Sequence, residues 1–156
     1  LLEAMDRLQT VIDRLLFLAR AEGGGLRSDF QSVALKDFVA EFTEDATVLL
    51  EDAGATFAVT ACDDGLVRAD RGLLRQLLLN LVSNAAKASP PGGQVCLSAR
   101  AADTAWQITV TDEGPGLPSD KLELIFERFT RLDSARESAL QPAGHGLGLA
   151  ICKSIA

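Results

Sequence analysis

Three groups of side chains in this sequence have the types and spacing to hold a charged ligand. Asn80, Asn84 and Lys87 stand at i, i+4 and i+7 in the run RGLLRQLLLNLVSNAAKAS, residues 71–89. On a helix they form one line. Asparagine is a poor helix former because its amide competes for nearby backbone groups, so two in register need a reason. An amide carbonyl is a hard neutral oxygen, suited to a Mg²⁺ that keeps several waters and takes its remaining ligands from phosphates. A lysine one turn on supplies a point charge for the same phosphates. The plain alternative is a solvated helix face.

The second group is TVTDEGPGL, residues 109–117, in which Asp112 ends a strand and Gly114 and Gly116 follow. A carboxylate at a strand end can accept a hydrogen bond from an exocyclic amine such as adenine's, and glycines let backbone approach the ligand. Alone, this pattern also marks an ordinary tight turn. The third group is GHGLGLAI, residues 144–151, where Gly144, Gly146 and Gly148 feed a helix. Free amides at a helix start are an anion site. The pattern lacks the GK[ST] ending of a P-loop and the preceding strand of a dinucleotide fingerprint. Between the two glycine groups lies IFERFTRLDSARESALQPA, with Phe126, Phe129 and Arg131 ahead of a small, polar run. Its length and position suit a lid that orders over ligand, tethered to the core by the two phenylalanines.

Positioning these groups requires an α/β framework. The spacing predicts helices over 36–54, 71–89 and from Gly146 onward. Strands are expected over 30–35, 55–62, 65–70, 94–101 and 105–112, the last two joined through Asp103 and Thr104. No strict βαβ alternation is present, so the expected class is α+β, a two-layer sandwich of one mixed sheet backed by helices. Ahead of it, Leu1, Met5, Leu8, Ile12, Leu15 and Ala19 make a heptad seam that Leu2, Val11, Leu16 and Leu18 widen. Such a helix is expected in a bundle formed by dimerisation, and Gly23-Gly24-Gly25 reads as a flexible joint after it.

The chain has 156 residues, 47% of them hydrophobic, and a net charge of −7. That balance argues against a nucleic acid held on a broad basic surface. No apolar run reaches the ~18 to 20 residues of a membrane span. Cys62, Cys96 and Cys152 show no metal-ligand spacing and read as reduced thiols among apolar neighbours, which fits a cytoplasmic compartment. The chain begins inside one helix without Met and stops inside another, so it reads as an excised fragment of a longer parent.

The order of Asn-rich helix, DEGPG, IFERF and GHGLGL resembles the N, G1, F and G2 boxes of sensor histidine kinases. Their ATP-binding fold is shared with gyrase, Hsp90 and MutL. The resemblance covers essentially the whole chain, with residues 1–25 similar to the second dimerisation helix and its hinge, and 26–156 to the catalytic domain. It implies that Asn84 ligates Mg²⁺ with Asn80 assisting, that Lys87 meets the phosphates, and that Asp112 binds the adenine amine in a pocket shaped by Gly114 and Gly116. It further implies that Arg131 reaches the γ-phosphate and that Gly144, Gly146 and Gly148 cradle the phosphates, with Phe129, His145 and Leu147 also at the nucleotide.

The implied reaction moves the γ-phosphoryl of ATP to a histidine and on to an aspartate of a response-regulator receiver domain. The implied parent is a homodimeric bacterial sensor anchored in the inner membrane. His145, the one histidine, lies within the glycine-rich loop, so the acceptor is expected on a helix outside this sequence. Two departures stand out: Ala88 replaces the aromatic residue that often follows the lysine, and the closing hairpin usual in the family does not follow Ala156. A gyrase- or Hsp90-like clamp is the alternative within the fold, which residues 1–22 and IFERF disfavour. A non-catalytic, nucleotide-responsive interaction module, a degenerate kinase that signals by dimerising, is the alternative of a different functional class.

Overall fold

A computed structural model of the chain describes residues 2–24, 28–130 and 146–155. The elements run α1 (Leu2–Glu22), β1 (Gln31–Ala34), α2 (Leu35–Asp52), β2 (Thr56–Cys62), β3 (Leu66–Ala69), α3 (Arg71–Ala88), β4 (Gln94–Ala102), β5 (Ala105–Thr111) and α4 (Gly148–Ile155). Two short 3₁₀ turns, Ser119–Lys121 and Leu124–Phe126, precede α4. The chain divides into two compact units. One comprises the described residues of Leu1–Arg27 and Leu117–Ala156, the other Ser28–Gly116.

The second unit is the α/β sandwich. β4 lies at the centre of a mixed three-stranded sheet, parallel to β2 and antiparallel to β5. Val95, Leu97 and Ala99 alternate along β4 and are fully buried, the period of a strand with one face on a core. α2 supplies the opposite layer with Leu35, Phe38, Val39, Phe42, Ala46 and Leu50, all buried at three- and four-residue steps. Phe42 stacks on Phe38 at 6.3 Å between ring centroids and meets Phe57 of β2 edge-on at 6.1 Å. Full burial, as at Phe38 and Phe42, contributes about 1.5–3 kcal/mol for each side chain. Leu78, Val82, Ala85 and Ala86 of α3 complete this core.

The single sheet expected from the sequence is instead two ladders among the described residues. β1 and β3 pair only with each other, antiparallel, with Val33 opposite Val67. Four residues each, they are too short for patterning to specify a partner.

Local signals set the helix ends. α2 closes with Gly54 at φ +71, Gly54 N donating to Glu51 O and Ala55 N to Leu50 O, the paired bonds of a Schellman motif. α3 opens on Asp70, whose carboxylate accepts from Leu73 N. It ends at Ser89, ahead of Pro90-Pro91.

In the first unit α1 packs against α4. Leu18, Leu147, Ala150 and Ile151 form a small core flanked by Val11, Leu15, Phe17 and Ile155. The heptad seam therefore divides: Leu15 turns inward with Leu18, while Met5, Leu8, Ile12 and Leu16 are exposed. Arg128 pairs with Glu22. Among the described residues no helix is long and apolar enough to cross a membrane.

Candidate functional site: a polar helix line, an Asp-Gly turn and a glycine-started helix

α3 carries the first group. Its apolar side lies on the core, Leu78 and Val82 fully and Leu74, Leu77 and Leu81 in part. Asn80 and Asn84 are half-buried and Lys87 is exposed. Asn80 Nδ2 is buried without a hydrogen-bond partner, the one such side-chain atom among the described residues. A buried amide left unpaired costs about 1–3 kcal/mol, which a helix face meant only for water would not incur. A half-rotation of the amide presents its oxygen in the same position. The donor set thus offers neutral oxygens to a small cation. Among the described residues no cluster of three His, Cys, Asp or Glu side chains could hold a metal, so such a cation would depend on phosphate oxygens for charge.

The second group follows β5. Gly114 N donates to Asp112 Oδ1 at 2.8 Å, an Asx turn that reverses the chain. Asp112 Oδ2 has no partner among the described residues, and the side chain is exposed. Gly114 lies against the end of α3, where an added Cβ would stand 2.8 Å from Ala88 O and 3.0 Å from Ala88 Cβ. Gly116 has φ +73. The turn is thereby seated on the helix that carries the asparagines, with a carboxylate oxygen left open to an N–H donor.

The third group lies in the first unit. Gly146, at φ +66, accepts through its carbonyl from Phe129 N at 3.0 Å. A Cβ there would meet Phe129 C and Thr130 O at 2.9 Å, so only glycine fits. Leu147 is fully buried, and α4 starts at Gly148, two residues later than the glycines suggest. The rings of Phe126 and Phe129 are exposed, at 37% and 60%. The expectation that they tether the segment by burial is therefore corrected. Backbone bonding to Gly146 and the burial of Leu147 do that work. Arg131, Gly144 and His145 lie outside the described residues.

Sequence reasoning missed Glu113, whose Oε2 accepts from Gln94 N at 2.9 Å. It also missed the second role of Asp70, whose Oδ2 accepts from Asp29 N at 2.8 Å. Both are carboxylate-to-backbone bonds across 19 and 41 residues, and no local pattern announces them. Arg71 and Arg75 pair with Glu41 and Asp45 over a recess between α2 and α3. None of the candidate ligand residues lines it.

The class of this sandwich is shown by comparison with known proteins. The family described as histidine kinase-, DNA gyrase B- and HSP90-like ATPase matches residues 69–156. The sensor-like histidine kinase SenX3 of Mycolicibacterium smegmatis is 37% identical over 96% of this chain and 38% of its own length. Full-length ShkA in complex with AMPPNP superposes with a TM-score of 0.81 at 30% identity, over 98% of this chain and 31% of that one. Histidine kinase AdeS of Acinetobacter baumannii gives 0.77 at 25% identity, over 99% and 68%. The chain belongs to this ATPase family, and within it to the ATP-binding catalytic domains of sensor histidine kinases. It spans about two fifths of the length of SenX3.

Proposed function

We propose that this domain binds ATP with Mg²⁺ and delivers the γ-phosphoryl group to a histidine outside this sequence, from which a response-regulator aspartate takes it. The observation that carries the reading is the buried, unpaired amide of Asn80 on the same helix as Asn84 and Lys87. A bound Mg²⁺ would neutralise charge on the transferring phosphoryl group. Asn84 and Asn80 would hold it through their amide oxygens, and Lys87 would add charge on the phosphates. Asp112 Oδ2 would accept from the adenine amine, with Gly114 and Gly116 bringing the turn close to the base.

Gly146 and Gly148 would offer amides to the phosphates at the start of α4, with Leu147 anchoring them and Phe129 beside the nucleotide. Gly144, His145 and Arg131 complete the phosphate-binding set, Arg131 toward the γ-phosphate. Phosphoryl transfer requires positioning and charge neutralisation more than covalent help from the protein, and these residue types supply both. We assign residues 1–25 to a dimerisation helix with its hinge and 26–156 to the catalytic domain. The exposed line Met5, Leu8, Ile12 and Leu16 supports a homodimer seam. The parent is taken as an inner-membrane-anchored sensor with this domain on the cytoplasmic side.

The test is incubation with γ-phosphate-labelled ATP. This chain alone should take up no label, whereas adding a helical hairpin with a histidine beside a carboxylate should yield acid-labile, base-stable label on the hairpin. Stable label on the chain itself, or none on any hairpin despite ATP binding, would contradict the assignment.

A further inference from the structure

We propose that Glu113 is a positioning residue for base recognition, setting the direction of the Asp112 carboxylate by holding Gln94 N. The inference rests on the nucleotide reading above and adds to it the device that fixes its specificity. The β4–β5 ladder runs in register from Ala102 opposite Ala105 to Cys96 opposite Thr111. Continued for two more residues on each strand, it would face Gln94 with Glu113. It does not continue. At Asp112 the chain leaves the sheet so that Gly114 N can reach Asp112 Oδ1.

That departure removes the backbone acceptor a further rung would give β4 and leaves Gln94 N, on an exposed strand end, to a side chain or to water. Glu113 supplies the substitute, its Oε2 accepting from Gln94 N at 2.9 Å. The side chain thus completes the last rung while its own backbone turns away. On the other side the turn is stopped by Ala88, which leaves no room for a Cβ on Gly114. Held from two directions, the turn commits Asp112 Oδ1 to Gly114 N and leaves Oδ2 as the acceptor.

One fixed carboxylate oxygen discriminates by donor chemistry. Adenine presents an amine N–H. Hypoxanthine presents a carbonyl oxygen at that position, and a carboxylate repels it. The triphosphate and ribose are the same in both nucleotides, so a loss of general binding cancels in the ratio of affinities while a loss of carboxylate aim does not.

The experiment measures ATP and inosine triphosphate affinities, with Mg²⁺, for this chain and for Glu113→Ala, Glu113→Asp and Glu113→Gln. The wild type should prefer ATP. Glu113→Ala should lose about tenfold of that preference, the scale of one hydrogen bond to a charged group, with affinity for inosine triphosphate nearly unchanged. Glu113→Asp, too short to reach Gln94 N, should behave alike and serves if Glu113→Ala does not fold. Glu113→Gln retains an acceptor oxygen and should retain the preference. Equal losses for both nucleotides, or an unchanged ratio in Glu113→Ala and Glu113→Asp, would overturn the proposal while leaving the nucleotide reading intact. A folded wild type that binds neither nucleotide would remove both.

Discussion

Gly114 lies so close to the carbonyl of Ala88 that a Cβ on the glycine would sit 2.8 Å from that oxygen, and 2.7 Å from Asp112 Oδ1. The first contact is with helix backbone, which cannot give way as the end of a long side chain could. Gly114→Ala should therefore push the turn off α3. Overpacking of this kind costs about 1–3 kcal/mol, readable as a lower urea midpoint. ATP affinity should fall by more than the stability change explains, because the Asp112 carboxylate moves with the turn.

Leu18 is 1% exposed, in the small core with Leu147, Ala150 and Ile151. Leu18→Ala should destabilise that unit by about 2–5 kcal/mol, the range for a leucine truncated in a packed site. Amide hydrogen exchange should quicken along α4 and stay unchanged along β4, which belongs to the other core. Uniform quickening along both would contradict the separation of the two cores.

Much of this organisation is legible in the sequence, and the failures have physical causes. The helices and strands fall within a few residues of expectation because α2, α3 and β4 carry clear periods and ends marked by Gly54, Asp70 and Pro90. The Asn80, Asn84 and Lys87 line is readable for the same reason. The separate β1–β3 ladder is not, since strands of four residues hold too little pattern to choose a partner. Phe126 and Phe129 look like buried anchors because large apolar rings usually are. Here they fall in and beside a 3₁₀ turn that faces them outward. Glu113 and Asp70 act through backbone groups distant in sequence, where composition carries no signal.

Asp70 caps α3 through Leu73 N and also holds Asp29 N. These bonds, Leu73 N first, lower its pKa below the ordinary value of 3.8. A depressed folded value means the contribution is fully present above the unfolded pKa and is lost as pH falls through the folded one. Thermal scans between pH 5 and about pH 2 should show an acid-side loss that Asp70→Asn, a good cap without a titrating group, diminishes. An identical acid limb in the variant would rule this out.

The thiols should differ in reactivity. Burial pushes the Cys152 thiol up to about 11 and raises Cys62 less far. Thiolate is the reactive form, so at pH 8 a disulfide reagent should label Cys96 and Cys62 in the folded chain. Cys152, 5% exposed, should react only on unfolding. Prompt reaction of all three thiols would contradict its packing.

Trp106 leans over Gly65, where a Cβ would stand 2.6 Å from the indole, and Trp106 Nε1 donates to Leu66 O at 3.1 Å. Gly65→Ala should displace the ring into solvent. Because Trp106 is the one tryptophan of the chain, its emission reports this directly, and a red shift is expected. An unshifted spectrum would mean the ring is not seated there.

In the proposed function the asparagine line of α3 faces a magnesium nucleotide. Calorimetric titration of the chain with ATP, with and without Mg²⁺, beside Asn84→Ala, tests it most directly. Binding that strengthens with Mg²⁺, and that loses this strengthening in a folded Asn84→Ala, is the predicted result. A folded wild type that binds no ATP, or an Asn84→Ala that keeps the full response to Mg²⁺, would contradict it.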